Sequence, residues 1–329
     1  MSGKLLLIGG GGYIGTVVAD QLLRDKYDLT ILDNFIYNHK DSINNLKKFD
    51  NFKLIEGDII NKDFLYEKIK NYDCVVLLAG LVGDPITKKY PNLSNEINDF
   101  GIKNAIDATF KNKIKKFIFI STCSNYGLIK SDDLADENHS LAPLSLYAKN
   151  KVKAEKYIMN YKNESSDTST TILRFATAFG LSYRMRFDLT VNEFVKILND
   201  GKELSVYDAD TWRPYCHVKD FARLIKKVIE IQNNKTSFQI FNSGGNNNNF
   251  TKRMIVNELL KFYKNPLIKF LDKGPDPRNY KVNFSRVKET FNFIPKYTLE
   301  DGILEIKDYL KSKKNNFTDC GNYLIDNEK

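Results

Sequence analysis

The sequence predicts an α/β fold, a doubly wound parallel sheet with a smaller C-terminal lobe. Three observations carry this. Short apolar runs of strand length alternate with helical patterns through the first half of the chain. A Gly-x-x-Gly-x-x-Gly turn, made by Gly9, Gly12 and Gly15, joins the first run to the first helical pattern. After about residue 174 the alternation loosens, and loops containing Gly180, Pro214, Gly244, Gly245, Gly274, Pro275 and Pro277 divide the elements.

The first strand is expected over 5–8. Glycine after it lets the backbone take positive φ and approach a ligand closely. A helix then opens at Tyr13 and Ile14, with Val17, Val18 and Leu22 at helical spacing. Its first N–H groups and positive dipole end face the turn, where an anionic pyrophosphate fits. A second strand over 29–32 ends at Asp33, with Asn34 next. An acid about 20 residues past such glycines accepts from an adenosine ribose hydroxyl. It also repels a 2′-phosphate, which favours NAD over NADP. A Gly-rich turn and a strand-ending Asp can occur without a ligand. Strand, glycines, helix, strand and acid in that order point to a dinucleotide site on a Rossmann domain.

Further strands are expected over 52–55, 75–78, 117–120 and 171–173, completing a cofactor domain over 1–174. The segment 212–242, with a strand at 238–241, is expected to return to that sheet. Helices over 187–199, 250–262 and 299–310 fall in a substrate-binding domain made of 175–211 and 243–312. Residues 313–329 read as a polar tail, and the run Asn246 to Asn249 as a solvated loop.

Composition excludes several classes. The chain has 329 residues and a formal net charge of +9. Its lysines are spread among acids, so a nucleic-acid surface is not expected. No apolar run has the length of a membrane span, and the N-terminal apolar run breaks at once into glycines. Cys74, Cys123, Cys216 and Cys320 are widely spaced, as are His39, His139 and His217. Neither metal binding nor a disulfide framework is expected, and a reducing cytoplasm is the simple inference. Nine arginines occur, eight of them in the second half. Arg184, Arg186, Arg213 and Arg278 fall in loops or at element edges. Their planar forks suit a substrate diphosphate, although any one of them could be structural.

The fifth strand ends in Ser121-Thr122-Cys123-Ser124-Asn125-Tyr126-Gly127. The carboxyl ends of parallel strands border the ligand crevice. Tyr147 and Lys151 then lie one turn apart on a helix. An ammonium beside a phenol lowers the phenol's pKa, so Tyr147 is a candidate acid/base. Such a pair recurs by chance; its position after the fifth strand of a dinucleotide domain gives it meaning. Nothing near Cys123 reads as its base, so it is expected to line the pocket rather than act as a nucleophile.

At this point the chain resembles the extended short-chain dehydrogenases/reductases, in particular the nucleotide-sugar epimerases and dehydratases. The resemblance spans nearly the whole chain. It rests on the three glycines, Asp33, Gly57-Asp58-Ile59, Leu78-Ala79-Gly80, Thr122, Tyr147 and Lys151. It continues through Arg213-Pro214-Tyr215-Cys216-His217-Val218-Lys219-Asp220. The resemblance implies that Asp58 binds the adenine amine, with Ile59, Leu78, Ala79 and Gly80 around the cofactor. Lys151 would also hold the nicotinamide ribose, and Thr122 the reacting sugar hydroxyl. Arg213 and Arg278, with Asn192, would hold the nucleotide diphosphate. Tyr147 would take the proton of the C4 hydroxyl while the C4 hydride passes to NAD.

The 4-keto sugar then has three fates: dehydration, epimerisation or release. Dehydratases of the family carry an Asp-Glu pair after the Thr; here stand Cys123 and Ser124. The Leu81-Val82-Gly83-Asp84-Pro85 segment, the Ser121 to Gly127 segment and the Phe179 to Leu189 segment are similar to the branch that oxidises GDP-manno-heptose at C4. That branch retains NAD(H) and passes the hydride to 2-oxoglutarate. Asp84, Cys123, Ser124, Arg184 and Arg186 thereby join the expected substrate site. Ala176-Thr177-Ala178-Phe179-Gly180 lacks the Asn that epimerases commonly show there. The resemblance also implies a homo-oligomer paired through helices over 93–111 and 145–162.

Overall fold

The computed structural model describes residues 3–129, 133–163, 167–232, 235–272, 274, 276–312, 321–322 and 325. Pro275, Cys320 and most of the tail expected over 313–329 lie outside the described residues. The first half comprises β1 Lys4–Ile8, α1 Tyr13–Arg24, β2 Asp28–Asp33, β3 Phe52–Glu56, α2 Lys62–Ile69, β4 Cys74–Leu77, α3 Asp84–Lys89, α4 Pro91–Asn95, α5 Ile102–Lys111 and β5 Lys116–Thr122. Then follow β6 Leu134–Ala135, α6 Leu146–Asn160, β7 Ser169–Phe175, β8 Thr177–Phe179, α7 Thr190–Asn199, β9 Leu204–Tyr207, β10 Trp212–His217 and α8 Val218–Glu230. The chain continues with β11 Gln239–Ser243, β12 Asn249–Thr251, α9 Lys252–Leu259, β13 Ile268–Leu271, β14 Lys281–Val282, α10 Ser285–Phe291 and α11 Leu299–Ser312.

Seven strands form one sheet in the order β11-β7-β5-β4-β1-β2-β3, every pair parallel. All seven apolar runs read from the sequence lie in it. In β1, Leu5 and Leu7 join one core and Leu6 and Ile8 the other. Strand period two sends neighbours to opposite faces, and both faces are covered, so the run is apolar throughout. On one face Val18 and Leu22 of α1 pack with Phe221, Leu224 and Ile225 of α8. On the other lie Leu65 of α2, Ile102 and Ile106 of α5, and Ile158 of α6. Each fully buried Leu or Ile contributes roughly 1.5–3 kcal/mol.

Strand order reverses between β1 and β4, which opens the crevice at their carboxyl ends. The second lobe has its own core, with Phe179, Val191, Phe194, Val195, Ile255, Leu259, Ile303 and Ile306. The remaining strands sit in three small sheets, β12-β10-β8, β13-β9 and β14-β6, the last packed through Ala135 and Val282 on the α1 and α8 side of the main sheet rather than in the second core. The segment over 212–242 therefore divides. β10 pairs within the second lobe, whereas α8 packs on α1 and β11 pairs with β7.

Pro214 does not break the chain into a loop; it lies inside β10. Trp212, Arg213 and Pro214 pair only with β12, and Tyr215, Cys216 and His217 only with β8. At Pro214 one side of the strand is unpaired, so its missing N–H costs nothing there. The helix expected from 187 begins at Thr190, and that expected over 250–262 runs over Lys252–Leu259. Within the tail, Asn322 and Ile325 are buried, Ile325 against the α5 and α6 core.

Candidate active site

One crevice of about 800 Å³ runs from the glycine turn to the second lobe, the size of a substantial small-molecule site. Gly9 has φ +84, and a Cβ there would lie 2.5 Å from the Ala79 N. Only glycine allows that approach. Gly12 precedes α1 and no side chain caps the helix. A Cβ on Gly12 would meet only the Gly9 carbonyl oxygen, at 3.5 Å, and would otherwise project into open space. An uncapped helix start beside an empty cradle fits a diphosphate. Tyr13, Ile14 and Gly15 line the same wall.

Asp33 ties this wall to the loop after β2. Its Oδ2 accepts from Gly11 N at 2.9 Å and its Oδ1 from Phe35 N at 2.8 Å. Burial raises its pKa, against those two N–H groups and the Arg184 charge. Both oxygens have a second lone pair, and Asp33 faces the crevice. Asn34 Nδ2 donates to Asp58 Oδ2 at 2.8 Å, and both line the crevice with Ile59. This set fits an adenosine ribose and base.

On the other side of β1, Leu78 N and Ala79 N both donate to Ile8 O at 2.9 Å. Asn98 then clamps Leu81: its Oδ1 accepts from Leu81 N at 2.8 Å and its Nδ2 donates to Leu81 O at 2.9 Å. Asn98 sits in a π-helical turn over Glu96–Gly101, a one-turn widening that re-aims side chains. Leu78, Ala79, Gly80 and Asp84 thereby line the crevice.

Thr122 ends β5, and Ser145 caps α6 by accepting from Ala148 N at 3.2 Å. These two elements bring Tyr147 and Thr122 to one crevice, where Thr122 acts on the phenol. Lys151 Nζ lies 6.0 Å from the Tyr147 ring centroid and donates to Ile120 O at 2.8 Å. Desolvation pushes the Tyr147 phenol up to about 12, against Arg186, Arg278 and Thr122, which pull it down. The lowered phenol pKa expected from Lys151 is therefore not found in the protein alone. Burial takes Lys151 itself down to about 7, against the Glu155 charge that raises it.

Glu155 anchors this end of α6. Its Oε1 accepts from Ser121 Oγ at 2.5 Å and Asn125 Nδ2 at 2.9 Å, and Arg174 Nη2 donates to Oε2 at 2.6 Å. Ser121 precedes Thr122, so this buried pair sets the register between α6 and β5. The sequence reading missed Glu155, although it follows Lys151 by one helical turn.

The second lobe supplies cations. Arg213 Nη2 lies 3.0 Å from Asp276 Oδ1. Arg278 pairs with Asp276 at 2.8 Å and Asp84 at 3.1 Å, and donates to Ser124 Oγ at 3.1 Å. Lys252 also lines this part. Asp276 was not read as a site residue; its only signal was its place two residues before Arg278. The four expected arginines do not converge. Arg186 pairs with Asp188 and faces Tyr147. Arg184 lies at the other end, with its guanidinium carbon 4.7 Å from the Tyr37 ring centroid.

Two expected residues do not line the crevice. Cys123 is buried with its Sγ 3.2 Å from Arg174 O, turned away from the pocket. Asn192 is spent on structure: it accepts from Gly180 N at 3.0 Å and donates to Tyr13 Oη at 3.2 Å and Arg186 O at 2.9 Å. His217 and Asp220 of the Arg213 to Asp220 segment are structural too. His217 caps α8, and Asp220 accepts from Lys296 N and Tyr297 N.

The model of the NAD dependent epimerase/dehydratase family matches residues 5–244. A Methanocaldococcus jannaschii protein provisionally named a UDP-glucose 4-epimerase is 28% identical over 320 residues, covering 94% of this chain and 98% of that one. The UDP-N-acetyl-alpha-D-glucosaminuronate decarboxylase of Bacillus cytotoxicus is 25% identical over 328 residues, covering 96% and 100%. The crystal structure of UDP-glucuronic acid 4-epimerase from Bacillus cereus, in complex with UDP-glucuronic acid and NAD, superposes with a TM-score of 0.84. It is 25% identical, with 94% of this chain and 99% of that chain covered. With its seven-stranded parallel sheet and glycine-turn crevice, the chain belongs to the NAD dependent epimerase/dehydratase family of extended short-chain dehydrogenases/reductases, and its cofactor is NAD.

Proposed function

We propose that the protein oxidises C4 of a nucleoside-diphosphate sugar and returns the hydride to give the C4 epimer. The observation that carries this is that Tyr147, Thr122 and Lys151 line one crevice with the glycine turn and the Arg213 and Arg278 cluster. Bound NAD supplies the hydride acceptor. Tyr147 takes the C4 hydroxyl proton, and Thr122 orients that hydroxyl. Lys151, one turn along α6 from Tyr147, would hold the nicotinamide ribose. Arg213 and Arg278 hold the diphosphate, their forks matched to its oxygens. Dehydration is disfavoured, because the two positions after Thr122 offer a buried thiol and a hydroxyl instead of an acid pair. The similarity to 4-epimerases supports hydride return.

A second reading has its own support. The Leu81 to Pro85, Ser121 to Gly127 and Phe179 to Leu189 segments together are similar to the GDP-manno-heptose 4-dehydrogenases. In that reading 2-oxoglutarate accepts the hydride, and the setting is the synthesis of capsule polysaccharide in the cytoplasm. Both readings include pairing of two copies through α5 and α6; Phe100, just before α5, is 61% exposed. Denaturing the purified protein and measuring the redox state of the released nucleotide separates the two readings. Mostly NAD⁺, with a C4 epimer formed from a UDP- or GDP-sugar, supports hydride return. Mostly NADH, with a 4-keto product that accumulates only with 2-oxoglutarate, supports the second reading. No C4 product from either sugar class contradicts both.

A further inference from the structure

The loop over 180–188 is docked on the first turn of α1. Tyr13 Oη donates to Gly180 O at 2.5 Å, and Ser182 Oγ donates to Tyr13 O at 2.6 Å. Ser182 Oγ also meets Thr16 Oγ1 at 3.0 Å. The loop therefore stands at the uncapped helix start that fits the cofactor diphosphate. Arg184 is buried in that loop and lines the crevice. Its guanidinium stacks over Tyr37, and its Nη2 donates to Asn322 Oδ1 at 2.7 Å. Asn322 Nδ2 donates in turn to Val82 O at 2.9 Å. Tyr37 follows β2 and Val82 follows β4, the two neighbours of β1. A chain of contacts thus crosses the crevice above the end of β1.

The charge of Arg184 falls on the cofactor side. It pulls down the Asp33 carboxyl, which burial raises. With burial as the larger cause, it also holds the His39 imidazole down at about 3. Arg186, two residues on, is instead committed to Asp188 beside Tyr147, and Arg213 and Arg278 to Asp276. Arg184 thus acts on the expected ribose carboxylate, and it shares Tyr37 with Arg186.

We infer that Arg184, stacked on Tyr37 and bridged through Asn322 to Val82, closes over the diphosphate of the bound dinucleotide and sets how slowly it leaves. A guanidinium facing a diphosphate makes charge-assisted hydrogen bonds with bidentate geometry. The dinucleotide cannot leave through this side until the Asn322 bridge opens, so the effect is on the dissociation rate. This rests on the C4 redox reading, in which the nucleotide stays bound while the hydride is stored.

The test uses full-length Arg184→Met, Tyr37→Leu and Asn322→Ala beside the wild type. Bound nucleotide is quantified after gel filtration, and its release is followed by exchange with isotopically labelled NAD. The KM for UDP-glucose or the GDP-sugar that the wild type accepts is measured at saturating NAD. Melting curves with saturating NAD identify any variant that fails to fold. Retained nucleotide in the wild type, with release about 10- to 100-fold faster in Arg184→Met and a smaller gain in Asn322→Ala, is the expected result. Release unchanged in the folded variants of a retaining wild type overturns the bridge alone. So does a raised sugar-nucleotide KM in Arg184→Met with unchanged release, which moves Arg184 to the substrate. A wild type that retains no nucleotide overturns the bridge and the resident-cofactor reading together.

Discussion

The two walls of the crevice are built differently. The floor, from Gly9 to Ala79, is largely main chain: glycines, an uncapped helix start, and N–H groups tied to Ile8 O and Asp33. The roof over the reacting end is side chains drawn from Asp84, Ser124, Arg186, Arg213, Asp276 and Arg278, scattered over more than half the chain. A main-chain site needs few residue types at fixed local spacing. A side-chain site needs partners that only tertiary packing brings together. Tyr147 and Thr122 stand at the seam, on the floor but facing the roof. The proposed function places the chemistry on the floor and the choice of substrate on this roof.

Breaking the floor at its reacting end has the largest expected effect. Tyr147→Phe keeps the ring and removes the proton carrier, so turnover falls by about 10²- to 10⁴-fold. The cofactor stays bound, because the glycine turn is untouched. Rate measurements beside nucleotide content check this; turnover near the wild-type level would remove Tyr147 from the chemistry.

Breaking the roof has a smaller effect of a different kind. Arg278→Met leaves Arg213 on Asp276 and takes the guanidinium away from Asp84 and Ser124. The sugar-nucleotide KM should rise about 10- to 100-fold, with cofactor release unaltered. A change in cofactor release with KM preserved would reverse the assignment of floor and roof.

The smallest signal sharpens the seam itself. Lys151 is held near 7 in the folded chain, below its ordinary 10.5. Between those values the unfolded chain binds the extra proton, so stability rises with pH across that window and the cost is full below pH 7. Urea unfolding of nucleotide-free protein should show the wild type gaining on Lys151→Met from pH 7 to pH 10. Parallel pH curves would mean that Lys151 keeps its proton in the folded chain.

The same division decided what could be read from sequence. Seven apolar runs, three glycines and Asp33 announce the floor, because strand length and turn chemistry are local properties. The second lobe hid its strands. β8 and β12 have three residues each, too few for a period, and Pro214 reads as a breaker until β10 is seen to pair on one side at a time. Asp276 sits in a Gly- and Pro-rich loop, and Asn322 in a polar stretch with no pattern around it. Cys123 follows Thr122 yet turns its thiol to Arg174 O, a direction that no spacing reveals. The Tyr147 pKa was misread for a related reason. The pair spacing shows Lys151 nearby, but not that burial would outweigh the charge and leave its Nζ on Ile120 O.

The most direct measurement follows the hydrogen at C4. UDP-glucose and GDP-manno-heptose carrying deuterium at C4 would be mixed with the purified enzyme, quenched early, and the released cofactor examined by mass spectrometry. Deuterium on the nicotinamide with one of the two sugars, and none with Tyr147→Phe, is the predicted result. Product formation from either sugar with no deuterium ever reaching the nicotinamide would contradict C4 oxidation.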